Sequence, residues 1–522
     1  MKLRLQPILV LTGIAGLLAA QAQTEAPATH AGRLVKLDVM VRAKTGVVTG
    51  LNREDFTLLD KGKPQKIEVF SAAPGRDAGA KFEPPAPVVG MNRTTRRGEP
   101  VKSAIVILYD RVNTPASDQP YTRKLVLDTL SSLKDTEIFA FYSLGRNLSV
   151  VHDFTEDPGP LIRAAARLGS ATPQAAPADP ADQTAQKALE DSLVPQQDLD
   201  TVFRVDKTAR AFQSITRHLS GLPGRKGIAW ITRTFPLTFG ADFNRRNQLE
   251  LEVTNATVML QEENIALYPI NPGGVGRGFS DRTTPNDTPT EGRLMPGSNA
   301  SISNDGAISE NSTLSSIAQE TGGIAYYNMN EIASKVREVL QETELVYTLG
   351  FYPENKTLDG HPHDFGVKVA KASGATVRFR KRYLATKEDP MRQAPGIPEL
   401  AADPLEATGI QLAAVAERDP ARAGVQKVSV SVNVADLQMT HAGDHWTGAF
   451  ELALALDGSM GATGGVQLFN LNWTEEQMQK GRSGLIVSST IDTKNQPGRL
   501  RAVVRDKNSG AAGSVQVPLA AQ

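Results

Sequence analysis

The sequence has no cysteine, which excludes disulfides, thiolate catalysis, cysteine-ligated zinc or iron–sulfur sites and a lipid-anchoring cysteine. It has no excess of either charge: 57 Lys and Arg balance 57 Asp and Glu. Net charge therefore gives no pull toward nucleic acid or an anionic membrane. Aromatic residues make up only 6%, and the basic runs Arg96-Arg97 and Arg378–Arg382 are short, the second alternating along a strand as a charged sheet edge, so no nucleic-acid partner is expected. No apolar run reaches the roughly 20 residues of a membrane-spanning helix. Neither G-x-S-x-G nor H-E-x-x-H occurs. Ser131-Ser132-Leu133-Lys134 spells S-x-x-K, but it closes a helix and lacks the motifs that accompany that pattern in enzymes.

What is present divides the 522 residues into several units. Residues 1–22 read as a secretory signal: Lys2 and Arg4, an apolar run from Ile8 to Ala20, then the small-residue site Ala20-Gln21-Ala22. Export to the periplasm or beyond is the expectation. In residues 33–72, Val35, Leu37, Val39 and Val41 recur with the two-residue period of a strand, predicting a small N-terminal β module. A Pro- and Gly-rich linker is expected over 73–102.

From 103 to 385, strands alternate with helices. Ala104–Tyr109 is continuously apolar, as a strand covered on both faces should be. Val202, Val205, Ala209, Phe212 and Leu219 stripe a long helix, and Ile228–Thr232 and Ile265–Ile270 read as further strands. This alternation predicts a parallel sheet with helices on both faces, interrupted by polar insertions near 169–197 and 273–311. A second linker is expected over 386–424, and the short alternating strands of 425–522 predict a C-terminal β-sandwich.

Four segments resemble bacterial exported proteins related to the von Willebrand factor A-type (VWFA) domain: Leu51–Asp60 with its E-D-F core, Val106–Thr114, Leu222–Pro236 with L-P-G-R-K-G, and Leu314–Tyr327 followed by Tyr347–Tyr352. The resemblance implies an α/β fold class: a Rossmann-like VWFA-type central sheet between the N-terminal β module and the C-terminal β-sandwich. It also implies a protein partner bound at one strand end.

In that family the loop after the first strand reads D-x-S-x-S and helps to bind Mg²⁺, together with a later Thr and an Asp after the fourth strand. Here the loop is Asp110-Arg111-Val112-Asn113-Thr114. Asp110 and Thr114 match the end positions, Val112 offers no oxygen, and Thr232-Arg233 stands where the second carboxylate is expected. The site is thus expected to be degenerate, with Arg233 pairing with Asp110 in the cation's place and no cofactor. The alternative ligand set is Asp110, Thr114, Thr201 and Asp242 around Mg²⁺. His361-Pro362-His363 and the pair His441 and His445 are expected as solvated turn residues. The functional expectation is an exported, non-catalytic protein-interaction protein. A metal-dependent adhesion domain and an exported hydrolase are the alternatives.

Overall fold

The structure is a computed structural model. It describes residues 34–44, 46–72, 90–92, 95–96, 99–100, 104–132, 139–155, 163, 196–222, 225–235, 243–272, 313–327, 332–342, 346–353, 358–371, 374–386, 395–456, 465–481, 484–494 and 498–519. The expected leader, the insertion at 273–311, most of that at 169–197, most of the 73–102 linker and Asp242 lie outside the described residues.

The strands of the described residues form six sheets. One, built within residues 104–270, has the order Leu148–Thr155, Phe139–Leu144, Ala104–Asp110, Lys226–Ile231, Ile265–Ile270. Only Leu148–Thr155 runs antiparallel to its neighbour. Every residue of Ala104–Asp110 is buried, and successive side chains enter different cores. Val106 and Leu108 pack with Phe212, Ile215 and Trp230. Ile105, Ile107 and Tyr109 pack with Val126, Val336 and Val339. This is the period of two expected of a strand buried on both sides. Beyond the last strand, Tyr326 adds a single parallel bridge to Ile270.

The other sheets overturn the expected fold class. Among the described residues strand outnumbers helix, and most strand residues lie in several separate antiparallel sheets, so this is not an α/β protein organised on a Rossmann-like central sheet. The physical reason is the distance between partners. Val35–Ala43 pairs antiparallel with Tyr347–Phe351, placing Val35 opposite Phe351 and Val39 opposite Tyr347. Phe56–Asp60 pairs with Pro362–Val369. The alternating valines do face one core, but Tyr347, Leu349, Phe351, Phe365 and Tyr383 complete it from 300 residues away. The N-terminal module is therefore not closed within 33–72.

The second linker is also corrected. Ile397–Ala402 is a helix and Leu412–Arg418 a strand that pairs with Val425–Val432. Leu412 and Ala414 join Val428 and Val430 against Leu452, Leu500 and Val515 of the facing sheet, so two antiparallel sheets share one core that begins before residue 425. Gly90–Met91, from the stretch expected as the first linker, pairs with Leu412–Arg418. Beside it, buried Asn92 donates to the carbonyls of Ala407 and Ile410 at 2.7 and 2.8 Å and accepts from the Leu412 N–H at 2.7 Å.

The Tyr347 hydroxyl ties the two ends of the N-terminal core. It donates to the Val48 carbonyl at 2.8 Å and accepts from the Leu51 N–H at 3.2 Å. Tyr347→Phe removes both bonds while keeping the ring, and should lower the unfolding free energy by about 1–2 kcal/mol in urea titration. An unchanged midpoint would show that these bonds carry no net stability.

Candidate functional site

Asp110 closes its strand and is fully buried. The chain turns at once, and the Asn113 N–H comes back to donate to Asp110 Oδ1 at 2.9 Å while Asn113 Nδ2 donates to Oδ2 at 2.7 Å. Thr114 Oγ1 donates to the Asp110 carbonyl at 2.6 Å. Short polar side chains that bond the nearby backbone favour such a turn over continuing the strand. From the neighbouring strand, Trp230 Nε1 donates to Oδ2 at 2.9 Å, and Thr232 Oγ1 lies 3.4 Å from the same oxygen. Burial pushes the Asp110 carboxyl above its ordinary range. The bonds from Asn113 and Trp230 and the field of Arg204 work against that shift.

A second layer holds the loop. The helix Gln196–Leu219 presents Arg204 and Thr208 one turn apart on the same side. Arg204 Nε donates to Asn113 Oδ1 at 3.1 Å and its Nη2 to Thr234 Oγ1 at 2.8 Å. Asn113 Nδ2 also donates to Thr208 Oγ1 at 2.8 Å. From the helix Gln119–Ser132, Gln119 Nε2 donates to the carbonyls of Arg111 and Thr114 at 3.2 and 3.1 Å.

Arg233 does not pair with Asp110. Its Nε donates to Asp118 Oδ2 at 2.7 Å and its Nη1 to Asn271 Oδ1 at 3.0 Å, while Asn271 Nδ2 donates to the Arg233 carbonyl at 2.9 Å. Strand alternation explains the difference. Trp230 and Thr232, two residues apart, share the face that Asp110 occupies, whereas Ile231 and Arg233 face the other way. The Asp110 counter-groups are thus neutral N–H donors, with one guanidinium behind them on Arg204. Of the expected ligand set, Thr114 spends its hydroxyl on backbone, and Thr201 lies seven residues before Thr208, whose hydroxyl reaches the loop. Asp242 lies outside the described residues.

These residues do not fit an octahedral Mg²⁺ site, which asks for several free oxygens. Both Asp110 oxygens already accept N–H bonds, and Arg204 adds positive charge beside them. Trp230, Thr232, Arg204 and Thr208 were not singled out from the sequence. Trp230 carried the one usable signal: an indole N–H inside an otherwise apolar strand needs a buried acceptor.

One histidine departs from expectation, whereas His361, His441 and His445 are exposed. His363 is buried in the strand Pro362–Val369, with Nδ1 3.0 Å from Asp60 Oδ1 and Nε2 3.1 Å from Asp359 Oδ1. Among the described residues no cluster of three or more His, Asp or Glu side chains is arranged to hold a metal ion. At the start of the strand Lys226–Ile231, Lys226 Nζ donates to the Leu222 carbonyl at 3.1 Å, and the preceding Arg225 donates through Nη2 to the Gly322 carbonyl at 2.6 Å.

No family model matches the sequence, and no curated protein matches it. Among solved structures, the chain has a distant likeness to the crystal structure of the conserved hypothetical protein BatB from Bacteroides thetaiotaomicron. Identity is 15% and the TM-score 0.23, over 46% of this chain and 96% of that one. A likeness at that level carries no argument about fold or function.

Asp110→Ala would leave Asn113 and Trp230 donors buried without an acceptor. At about 1–3 kcal/mol for each unmet donor, it should lower the unfolding free energy by about 3 kcal/mol in urea titration. Calorimetric titration of the full chain with Mg²⁺ or Mn²⁺ should give no binding heat up to millimolar concentration. Saturable binding that Asp110→Ala abolishes would overturn the closed geometry.

Proposed function

We propose that this chain is an exported, non-catalytic protein-binding protein related to the VWFA-type family, and that its partner docks on the strand end around Asp110–Thr114. The observation that carries the proposal is the closed hydrogen-bond set on Asp110, which turns a buried carboxylate into a rigid foundation for the loops above it. Loops beyond the carboxyl ends of parallel strands are where such sheets receive ligands. Two exposed aromatic residues lie on the two helices whose side chains bond this loop. Tyr121 follows Gln119, and Phe203 precedes Arg204, so each lies within two residues of a side chain that bonds the loop. Lys207 Nζ lies 5.4 Å from the centre of the Phe203 ring. Aromatic anchors beside cations are what protein interfaces concentrate their binding energy on. Thr114 Oγ1 is engaged with backbone rather than with a general base, which favours binding over nucleophilic catalysis by this hydroxyl.

Export rests on the leader-like residues 1–22, and the family relation on the four sequence segments that carry it. Among the described residues no helix is long and apolar enough to cross a membrane. The test is co-purification from the exported fraction, comparing wild type with Tyr121→Ala/Phe203→Ala. The double variant should keep its melting temperature and lose a defined partner by at least about tenfold, as the removal of two anchors predicts. An unchanged partner set, or turnover of an ester, peptide or glycoside probe by the wild type, would refute the proposal.

A further inference from the structure

The end of the helix Gln196–Leu219 meets the segment that leads into the C-terminal sheets. Arg217 Nη2 lies 2.6 Å from Asp403 Oδ2, and Ser214 Oγ donates to the same carboxylate. Thr408 stitches the seam three times: its N–H donates to the Arg217 carbonyl at 3.1 Å, its Oγ1 to the His218 carbonyl at 2.7 Å, and it accepts the Gly221 N–H at 2.9 Å. Gly221 sits so close that a Cβ there would meet the Thr408 carbonyl at 2.0 Å.

At the centre lies His218, buried and stacked on Phe154 with ring centres 5.8 Å apart. Its Nδ1 is 2.7 Å from the Glu406 carbonyl oxygen, and its Nε2 is 3.2 Å from Asp153 Oδ1. A carbonyl only accepts, so Nδ1 must carry a proton. Asp153 Oδ1 also receives the Tyr142 hydroxyl at 2.9 Å and the Phe154 N–H at 2.9 Å. An oxygen ringed by donors belongs to an ionised carboxylate, so Nε2 must carry a proton too. Both ring nitrogens therefore donate, which only the imidazolium form can do.

We propose that His218 is a proton-dependent latch holding the leading segment of the C-terminal sheets against the sheet of residues 104–270. On deprotonation one ring nitrogen turns its lone pair toward an acceptor oxygen, and either the Glu406 or the Asp153 bond is lost. The groups facing the ring are Asp153 and Tyr142 from two strands of one sheet and Glu406 from the C-terminal side. Arg501 acts through Glu406, and Arg217 and Asp403 lie in the same seam.

The electrostatics agree with the geometry. Burial pulls the His218 pKa down, but the bond and charge of Asp153, then the carbonyl and charge of Glu406, outweigh it and raise the pKa above 6.5. The Asp153 side chain is half exposed, and its bonds to His218, Tyr142 and the Phe154 N–H hold its pKa down at about 2. For Glu406 burial dominates and raises the pKa. Because the folded pKa of His218 is raised, its contribution is complete below 6.5 and fades as pH climbs through the folded value. The Asp153 contribution is complete above 3.8 and fades only as pH falls through about 2. The latch is set between those limits and opens on the alkaline side.

A Glu-specific protease acting on the full chain tests this at Glu406, with a short peptide of the same residues correcting for the protease's own pH response. Between pH 6 and pH 9 the corrected cleavage rate should rise by up to about tenfold per pH unit until the folded pKa is passed. Asp153→Asn should shift the rise to lower pH, and His218→Gln should be cleaved fast at every pH. Nitrogen-15 NMR of the His218 ring should show both nitrogens protonated at pH 6.5. A flat corrected rate in the wild type, or a neutral ring at that pH, would overturn the latch. If His218→Gln fails to fold, the Asp153→Asn shift and the ring spectrum still decide.

Discussion

Taking a charged or strongly polar group out of water is the constraint around which this molecule is organised, because such a group costs several kcal/mol unless donors or acceptors meet it. Several buried polar centres meet that demand with residues distant in sequence. Asp110 draws on Trp230, Asp38 on Thr348, Asp60 on His363 and Tyr383, His218 on Asp153 and Glu406, and Asn92 on the backbone near Ile410. The cores supply most of the cohesive free energy without much selectivity. The polar contacts select which strands and loops meet, since an alternative register would strand a buried donor or carboxylate.

This constraint gives the Asp110 strand end its character. A carboxylate satisfied by an indole, a backbone N–H and an amide is neutral in its needs and has no coordination to offer. Arg204 and Thr208, held in place by the long helix, then bond Asn113 in turn, so the loop is fixed from three elements at once. Under the proposed docking, a loop on such a base would change little on binding and lose little entropy. The same physics at the other end of that helix gives the opposite result. His218 is satisfied only as a cation, so its seam responds to protons while the Asp110 end does not depend on one histidine.

The local elements were legible. The apolar run at Ala104–Tyr109, the helix stripe ending at Leu219 and the strand Ile265–Ile270 stand in the structure where periodicity puts them. Asp110 and Thr114 were also found as members of one loop, because their spacing is short. Arg233 was placed at the right strand end with the wrong partner, since one residue of alternation separates the Asp110 face from the Asp118 face. Residues 397–418 read as linker because Pro, Ala and Asp dilute the pattern, although Leu400, Leu405 and Leu412 are buried.

Which segments could become strand or helix, and which side chains had to leave water, follows from neighbours a few residues apart and is readable in the amino-acid order alone. It took the folded chain to bring Val35–Ala43 to Tyr347–Phe351, to answer Asp110 with Trp230 rather than Arg233, and to make the described residues mostly β. Those outcomes depend on which distant partners satisfy each buried group together, and no local pattern encodes that choice.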